Sequence, residues 1–489
     1  MNEVDRLTDR RRAIMGSWGT DLRRLGTALL AGVLVLSLTQ CTGGREAGSD
    51  DAMGPLRVSE RNSRYFQRPD GTTVYLTGSH TWASFQDNGS ASFDYPQYLN
   101  FLRANGHNFF RLWTWEQTRW TNETGDDNYR FSPDSPFRRV GPGKAMDGGQ
   151  KFDLTQFDDG YFQRLRDRVV QAQQNGIYVS VMLFNGWSVE RCKAEFCDNN
   201  PWKGHPLNGN NNVNGINGDR NGDGSGAEVH QLANGQVTQV QDNYVRRVIQ
   251  AVGDLGNVLY EVSNESSAQS VAWQYHMIDL VKATDSRHPV GMTTPHPFGD
   301  NNALYGSRAD WISPTGGVDD DTVAPGGKVS ILDTDHLCGV CGNPDWVWRS
   351  FTRGHNPILM DDYDGSGYGV GATGPHLQDN GWNGTRAAMG QARTLADRID
   401  LGGMEPRPDS ASSGHLLAKN TEYVAYTGDS WVSVDLSRSA GMTLGAEWLR
   451  PDQRSGPQQV DAVTPDQGST GVIFNSPWGG PGVLHLWQK

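Results

Sequence analysis

The sequence predicts a (β/α)8 TIM barrel followed by a small antiparallel β-sandwich. From about residue 60 to about residue 400, short runs rich in β-branched and aromatic residues alternate with stretches that carry apolar residues at helical spacing. This alternation is typical of a parallel sheet with right-handed crossovers. Later, short strands are separated only by turn residues. A doubly wound sheet is the alternative for the first part, but no glycine-rich phosphate loop follows the first strand.

The elements and boundaries follow from these periodicities. Strands are predicted at 73–78, 107–113, 177–184, 257–265, 288–294, 310–314, 328–336 and 356–364, and helices at 93–106, 161–176, 241–256 and 268–284. For the site residues, the short strand 310–314 is left uncounted, so 328–336 is called the sixth strand and 356–364 the seventh. The domain boundaries are 1–41 for a signal, 42–58 for a polar linker, 59–408 for the barrel with an insertion at 185–240, and 413–489 for the sandwich.

The N-terminal segment predicts export. Arginines at 10–12 precede an apolar run at 25–38, which has the length of a signal peptide and is short for a membrane-spanning helix. The following Leu-Thr-Gln-Cys is similar to a bacterial lipoprotein signal, which implies lipid attachment at Cys41 and a cell-envelope or secreted location. Gln40 stands where that signal has a small residue, so ordinary cleavage and an uncleaved anchor remain alternatives.

The charge balance excludes one broad class of partner. The chain has 43 Lys and Arg against 56 Asp and Glu, a net charge of −13. Neutralising phosphates needs clustered basic residues. We therefore expect no nucleic-acid partner, and membrane attachment only through Cys41.

Four further cysteines form two close pairs. Cys192 lies near Cys197, and Cys338 near Cys341. In an oxidising compartment this spacing predicts two local disulfides. A zinc site is the alternative, although the spacing of the first pair does not suit a zinc knuckle.

The insertion at 185–240 contains a sequence rich in Asn and Gly. Asp219, Asn221 and Asp223 match the first half of a calcium loop, whose alternating oxygens bind a hard cation. His230 stands where that loop has its bidentate Glu. A structural calcium ion and a flexible loop without metal both remain open.

Polar and aromatic side chains follow the predicted strands, where a barrel of this kind places its reactive groups. Carboxylates beside flat aromatic rings are typical of a sugar site, because glycoside cleavage needs one neutral and one ionised carboxyl group. These residues are His80, Trp82, Arg111, Trp113, Trp115, Glu116, Trp187, Asn264, Glu265, Asp333, Asp335, His336, Asp361, Asp362 and Tyr363.

Each candidate also has a purely structural alternative. Asp333 fits a helix N-cap, Glu116 a surface residue, and His80 and His336 orienting groups. The tryptophans taken singly fit a core. As a set, the residues favour a carbohydrate substrate and a reaction that needs no cofactor.

The segment LYEVSNE, an apolar strand ending in Asn-Glu, resembles the acid/base signature of clan A, family 5-like glycoside hydrolases, the cellulase-like barrels. The resemblance covers about 60–405. It implies that Glu265 is the general acid/base and that Asn264 contacts the sugar. NFFRLW resembles their second strand, which implies that Arg111 orients the nucleophile. YFQRPDGTTVYLTGSHTW and the tail resemble a bacterial subgroup that carries a C-terminal domain described as collagen-binding.

The chain departs from that pattern at the nucleophile. The clan has a Glu at the end of strand seven, and PILMDDYDG aligned there gives Asp362, with Asp361 as the neighbour. Because Asp is one methylene shorter, its separation from Glu265 could exceed the roughly 5–5.5 Å of retaining enzymes and approach the roughly 6.5–9.5 Å of inverting ones. Asp333 and Asp335 are further candidates for the second carboxylate.

The favoured hypothesis is a glycoside hydrolase acting on a polysaccharide or oligosaccharide, with Glu265 as acid and Asp362 or Asp361 as nucleophile or base. One alternative is a non-catalytic surface lipoprotein that binds carbohydrate or matrix protein on a degenerate barrel. Another is a metallohydrolase, which would need the His and Asp side chains at the strand ends as ligands.

Overall fold

A computed structural model describes residues 53–88, 92–120, 129–190, 200–297, 299–361, 363 and 382–489. Eight parallel strands form the barrel: β1 Gly78–His80, β2 Phe109–Leu112, β3 Tyr178–Asn185, β4 Val258–Asn264, β5 Val290–Thr293, β6 Trp311–Ser313, β7 Val329–Asp333 and β8 Asn356–Met360. Consecutive strands pair from β2 to β8, and β8 pairs with β1. At the β1–β2 junction, Asn108 N–H donates to the Thr77 carbonyl over 3.0 Å. The predicted barrel is confirmed.

Helices connect the strands on the outside of the barrel. Polar N-caps begin several of them, since the side chains of Asp94, Asp158 and Asn234 each accept a backbone N–H of the following first turn. Gly106 and Gly176 lie just beyond two helices and have positive φ, a conformation typical of glycine at a helix end. The helices are α1 Tyr95–Ala104, α2 Asp159–Gln174, α3 Gly235–Val252, α4 Val271–Thr284, α5 Asn301–Gly306, α6 Pro344–Thr352 and α7 Asn383–Ala396.

The strand numbering from the sequence needs two corrections. Trp311–Ser313 is a barrel strand in its own right, so 329–333 is the seventh strand and 356–360 the eighth. The numbering from the sequence left this three-residue strand, β6, out of the count. The first barrel strand also starts late, because Thr73–Val74 pairs antiparallel with Phe66–Gln67 instead. Gly78 is required in β1, since a Cβ there would lie 2.1 Å from the Phe109 carbonyl oxygen.

The C-terminal region consists of antiparallel sheets. Strands β9 Glu405–Pro406, β10 Leu416–Lys419, β11 Glu422–Thr427, β13 Leu444–Leu449, β14 Gln458–Val463 and β16 Gly482–Gln488 form one sheet, and β12 Trp431–Val434 pairs with β15 Val472–Asn475. Apolar side chains of both sheets share one buried cluster. The antiparallel organisation agrees with the prediction, and a true sandwich stays a prediction.

The asparagine-rich insertion is folded where the structure describes it. The Asn212 amide donates to the carbonyls of Pro206, Asn208 and Ile216 and accepts the Ile216 N–H. The Asn211 amide similarly satisfies carbonyls nearby. Buried asparagines therefore supply the hydrogen bonds that regular secondary structure would otherwise provide.

Several predictions lie outside the described residues, among them Cys41, Asp362 and the pair Cys192 and Cys197. The predicted disulfide between Cys338 and Cys341 is present. Within the described ranges, no helix combines the length and apolarity needed to cross a membrane.

A charged network joins the barrel to the C-terminal sheet. His485 on β16 places Nδ1 3.0 Å from Glu447 and Nε2 3.1 Å from Glu422. Arg398, just beyond α7, donates to Glu447 over 2.5 Å. Burial opposes the charged form of all three sheet residues, yet the carboxylates raise the pKa of His485, and His485 lowers the pKa of Glu422 and Glu447.

We expect this network to stabilise the fold most strongly between about pH 5 and 6.5. The pKa of His485 is raised in the folded protein. Its contribution to stability is therefore complete below the unfolded pKa near 6.5 and is lost as pH rises through the folded pKa. The glutamate contributions, whose pKa values are lowered, are lost as pH falls from about 4.5. His485→Gln should lower the free energy of unfolding in this window by about 3 kcal/mol, measured by urea unfolding. The difference in free energy of unfolding between the variant and the unchanged protein should be smaller at pH 3 and at pH 9. A difference that does not change with pH would contradict a stabilising role of the charged network.

Candidate active site

Arg111 on β2 is fully buried and lies at the centre of an ionic cluster. Its Nε and Nη2 donate to Glu261 over 2.9 and 2.5 Å, and Nη2 also donates to Asn264 Oδ1 over 2.7 Å. Its Nη1 donates to Asp333 over 2.7 Å and to Asp335 over 2.9 Å. One guanidinium therefore faces three carboxylates, and the cluster carries excess negative charge when all are ionised.

Glu261 was not predicted from the sequence, although it binds Arg111 through both oxygens. It lies on β4, whose other residues from Val258 to Ser263 are uncharged and buried. A single charge in such a strand indicates an ionic partner inside the barrel, because burying an unpaired carboxylate is costly. That signal was available in the sequence.

Asp333 ends β7 and accepts hydrogen bonds from several sides. Its Oδ1 accepts the Asp335 N–H over 3.0 Å, so the predicted N-cap role is present. The indole of Trp113 donates to His80 Nδ1 over 2.9 Å, and an indole N–H can only donate. His80 therefore carries its proton on Nε2 and donates it to Asp333 over 2.8 Å. Burial opposes ionisation, yet His80 and Arg111 hold the pKa of Asp333 well below its usual range.

Asp335 and Glu265 form the second part of the site. Their side chains are 8% and 7% exposed. Burial and the neighbouring Glu265 carboxylate raise the pKa of Asp335 to about 7, although Arg111 opposes the shift. Trp187 donates its indole N–H to Glu265, and His296 Nδ1 lies 3.9 Å from the same carboxylate. The Asp335 carboxyl group therefore holds a proton more readily than an exposed aspartate does, in part because of the nearby Glu265 carboxylate.

His336 and Asn264 complete the polar set. His336 places Nε2 3.2 Å from Asn264 Oδ1 and Nδ1 2.7 Å from Ser313 Oγ. Burial and the charge of Arg111 lower the pKa of His336 to about 3, so the ring is neutral and orients its neighbours. Asn264 Nδ2 is buried and has no hydrogen-bond partner within the described residues.

Glu265 has an unusual backbone conformation. It is the one non-glycine residue with positive φ, at 45°, in the part of the chain that the structure describes. A side chain in this region costs roughly 1–3 kcal/mol, and such residues cluster at functional sites. The strain marks the position directly after β4 as one whose geometry is held by surrounding contacts.

Predicted aromatic residues pack together beside this polar set. Trp113 stacks on His80 and on Trp115 with centroids 5.8 Å apart in both cases, and Trp115 stacks on Phe131 at 5.3 Å. The Arg111 guanidinium lies 5.0 Å from the Trp113 ring centre. Trp82 belongs to the same cluster, and Trp187 packs against it.

Two predicted residues point elsewhere. Asp361 follows β8 and is fully buried, with its carboxylate bound by Arg386 of α7 over 2.9 and 2.5 Å. Met360, one residue earlier, packs in the aromatic cluster, so Asp361 faces away from it. Tyr363 packs against Tyr98 and other rings at α1.

The predicted calcium residues form a series of tight turns. Asp219 accepts the N–H groups of Gly222 and Gly224, and Asn221 and Asp223 bond to each other. Across the described ranges, no three His, Cys, Asp or Glu side chains form a group suited to a metal ion. Calcium binding stays a prediction.

Comparison with known proteins adds evidence on the fold. Residues 119–294 match a family described as a domain of unknown function, DUF6298. The chain is similar to a family 5 glycoside hydrolase from Bacteroides vulgatus, with 14% identity, a TM-score of 0.60, and coverage of 89% of this chain and 92% of the other. A second solved glycoside hydrolase is 14% identical, with a TM-score of 0.58 and coverage of 89% and 97%. The sequence has no match among curated proteins. At this identity the likeness is one of fold.

The strain at Glu265 leads to a test by substitution. Glu265→Gly should have a free energy of unfolding about 1 kcal/mol higher than Glu265→Ala, because glycine adopts positive φ without a Cβ penalty. Chemical denaturation of the two variants measures the difference. The matched control is Ser267, whose φ is −60°. There the glycine variant should be the less stable of the pair, by about 0.4–1 kcal/mol. The same sign at both positions would contradict the strain.

Proposed function

We propose that the protein is a glycoside hydrolase acting on a polysaccharide or oligosaccharide, with Glu265 as general acid/base and Asp335 as the second carboxylate. One observation carries the proposal: Glu265 directly after β4 and Asp335 just beyond β7 are electrostatically coupled, which contributes to the raised pKa of Asp335. A pair that shares one proton supplies both the acid and the ionised partner that glycoside cleavage needs.

The surrounding residues support the same chemistry. Arg111 contacts Asp335 and opposes the rise in its pKa, so it favours the ionised form that the second carboxylate needs. The free amide N–H of Asn264 is available to a substrate hydroxyl beside Glu265. Trp187, which is partly exposed and packs against the buried tryptophan cluster, supplies apolar surface suited to the C–H faces of sugar rings.

The choice of Asp335 over the strand-eight residues rests on three facts. The clan A resemblance gives the second carboxylate to strand seven, which here ends at Asp333. The Asp333 carboxylate is already hydrogen-bonded to His80 and Arg111. Asp361 is occupied by Arg386. Asp362 lies outside the described residues, and its role stays a prediction.

Substitution of the carboxylates tests the assignment. Glu265→Gln and Asp335→Asn should each lower kcat/KM by about 100- to 10,000-fold, because each removes one member of the acid–base pair. Reducing-sugar release from a panel of plant and bacterial polysaccharides identifies a substrate and then measures the loss.

Asp361→Asn provides the comparison. It should reduce stability through Arg386 but keep kcat/KM within about threefold at a temperature where circular dichroism shows it folded. Full activity of Asp335→Asn with loss in folded Asp361→Asn would reverse the assignment. Binding of a polysaccharide without hydrolysis by the unchanged chain would favour the non-catalytic alternative.

The shared proton predicts a pH dependence. The pKa of Asp335 is raised to about 7, so the pair keeps its proton below that pH and loses it above. We therefore expect kcat/KM to fall about tenfold per pH unit above about 7. A profile that stays flat from pH 7 to 9, in a range where the enzyme remains folded, would contradict the shared proton.

A further inference from the structure

We propose that Glu116 and His230 are positioning residues for the acid/base Glu265, and that the insertion segment, residues 200–231, acts on the reaction through them. The inference rests on the proposed function. Two hydrogen-bonded routes lead from these residues to Glu265.

Glu116 follows β2, and both of its carboxylate oxygens have hydrogen-bond partners. Oε1 accepts the Asn185 N–H over 2.8 Å and faces His230 Nε2 at 3.2 Å, and Oε2 faces His205 Nε2 at 3.3 Å. Burial favours the neutral form, yet His230 and His205 lower the pKa of Glu116 to about 2. Glu116 is therefore an ionised acceptor that joins the barrel to the insertion segment.

The first route runs through the turn that follows β3. Asn185 donates its N–H to Glu116, and its side-chain oxygen accepts the Trp187 N–H over 3.1 Å. The Glu116 N–H donates to Ser188 Oγ over 3.1 Å, which fixes the far end of the turn. Trp187, held between these contacts, donates its indole N–H to Glu265.

The second route runs through His230. Because Glu116 is an acceptor, the His230 Nε2–H donates to it, and His230 Nδ1 lies within hydrogen-bond distance of the Ser266 hydroxyl, 2.9 Å away. The His230 ring is fixed by stacking on Trp273 at 4.4 Å. Ser266 is the residue directly after Glu265.

Both routes converge on the residue with the strained backbone. Ser266 is held on its other side by the His296 N–H, which donates to the Ser266 carbonyl over 3.0 Å. A positive φ at Glu265 persists only when neighbouring contacts hold it. Loosening Ser266 or Trp187 would therefore let the Glu265 carboxyl group turn away from the bond to be protonated.

Leaving-group dependence separates acid positioning from a general structural role. Two glycosides of the sugar that the unchanged chain accepts serve as probes, an aryl glycoside with a dinitrophenolate leaving group and an alkyl glycoside with an alcohol in its place. The alcohol needs protonation as it leaves, whereas dinitrophenolate does not. For Glu116→Gln and His230→Gln we expect kcat/KM to fall about 10- to 100-fold on the alkyl glycoside and less than about threefold on the aryl one.

Two further variants keep the test decisive. Ser266→Ala removes the hydroxyl of the second route, together with its 2.5 Å contact with Ser263 Oγ, and leaves the Glu116 cluster intact. It should therefore show a smaller loss with the same leaving-group dependence even if Glu116→Gln does not fold. His276→Gln is the matched control, because His276 pairs with Asp242 over 2.8 Å and contacts neither route. It should leave both substrates within about twofold.

The outcomes are distinguishable. Equal losses on both substrates, or no loss in folded variants, would overturn the positioning role while leaving the hydrolase intact. Failure of the unchanged chain to cleave any glycoside would overturn the proposed function, and this inference with it.

Discussion

The arrangement at the carboxyl end of the barrel depends on Arg111. Its guanidinium links β2 to Glu261 and Asn264 on β4 and to the acidic residues at the end of β7. In the barrel interior such charges are tolerated only when paired, so removing this one cation would leave several carboxylates uncompensated. The pairing is also incomplete, since one positive charge faces more than one negative charge. The excess of negative charge helps to raise the pKa of Asp335 and so to keep a proton on the site at neutral pH.

The same cluster sorts the acidic residues into different roles. Asp333 receives His80 and Arg111 and stays ionised, while Asp335, two residues later, has Arg111 on one side and Glu265 on the other. The neutral His336 orients Asn264 without adding charge. The chemistry proposed here thus follows from environment, because two aspartates of the same intrinsic acidity differ in their neighbours.

Much of this was accessible from the sequence. Periodicity located the barrel strands from the second to the eighth, and polar strand ends singled out Arg111, Asn264, Glu265 and the Asp-Thr-Asp segment as candidates. Periodicity could not resolve which face of a strand each side chain lies on. Successive residues face opposite ways, so a shift of one residue in the alignment reverses every assignment. That is why Asp361 was considered for the site while its neighbour Met360 packs there. Long-range partners such as Arg386 have no signature in a local pattern.

The C-terminal sheet is attached to the side of the barrel that carries Asp335, the proposed second carboxylate. It packs on α6 and α7, the helices that follow β7 and β8, and Trp348 of α6 donates to the Pro451 carbonyl over 2.9 Å. Arg386 of α7 in turn binds Asp361 at the end of β8. Because α6 and α7 are clamped between the sheet and these strands, the C-terminal region supports the geometry of β7 and β8. It therefore belongs to the structural framework of the candidate site.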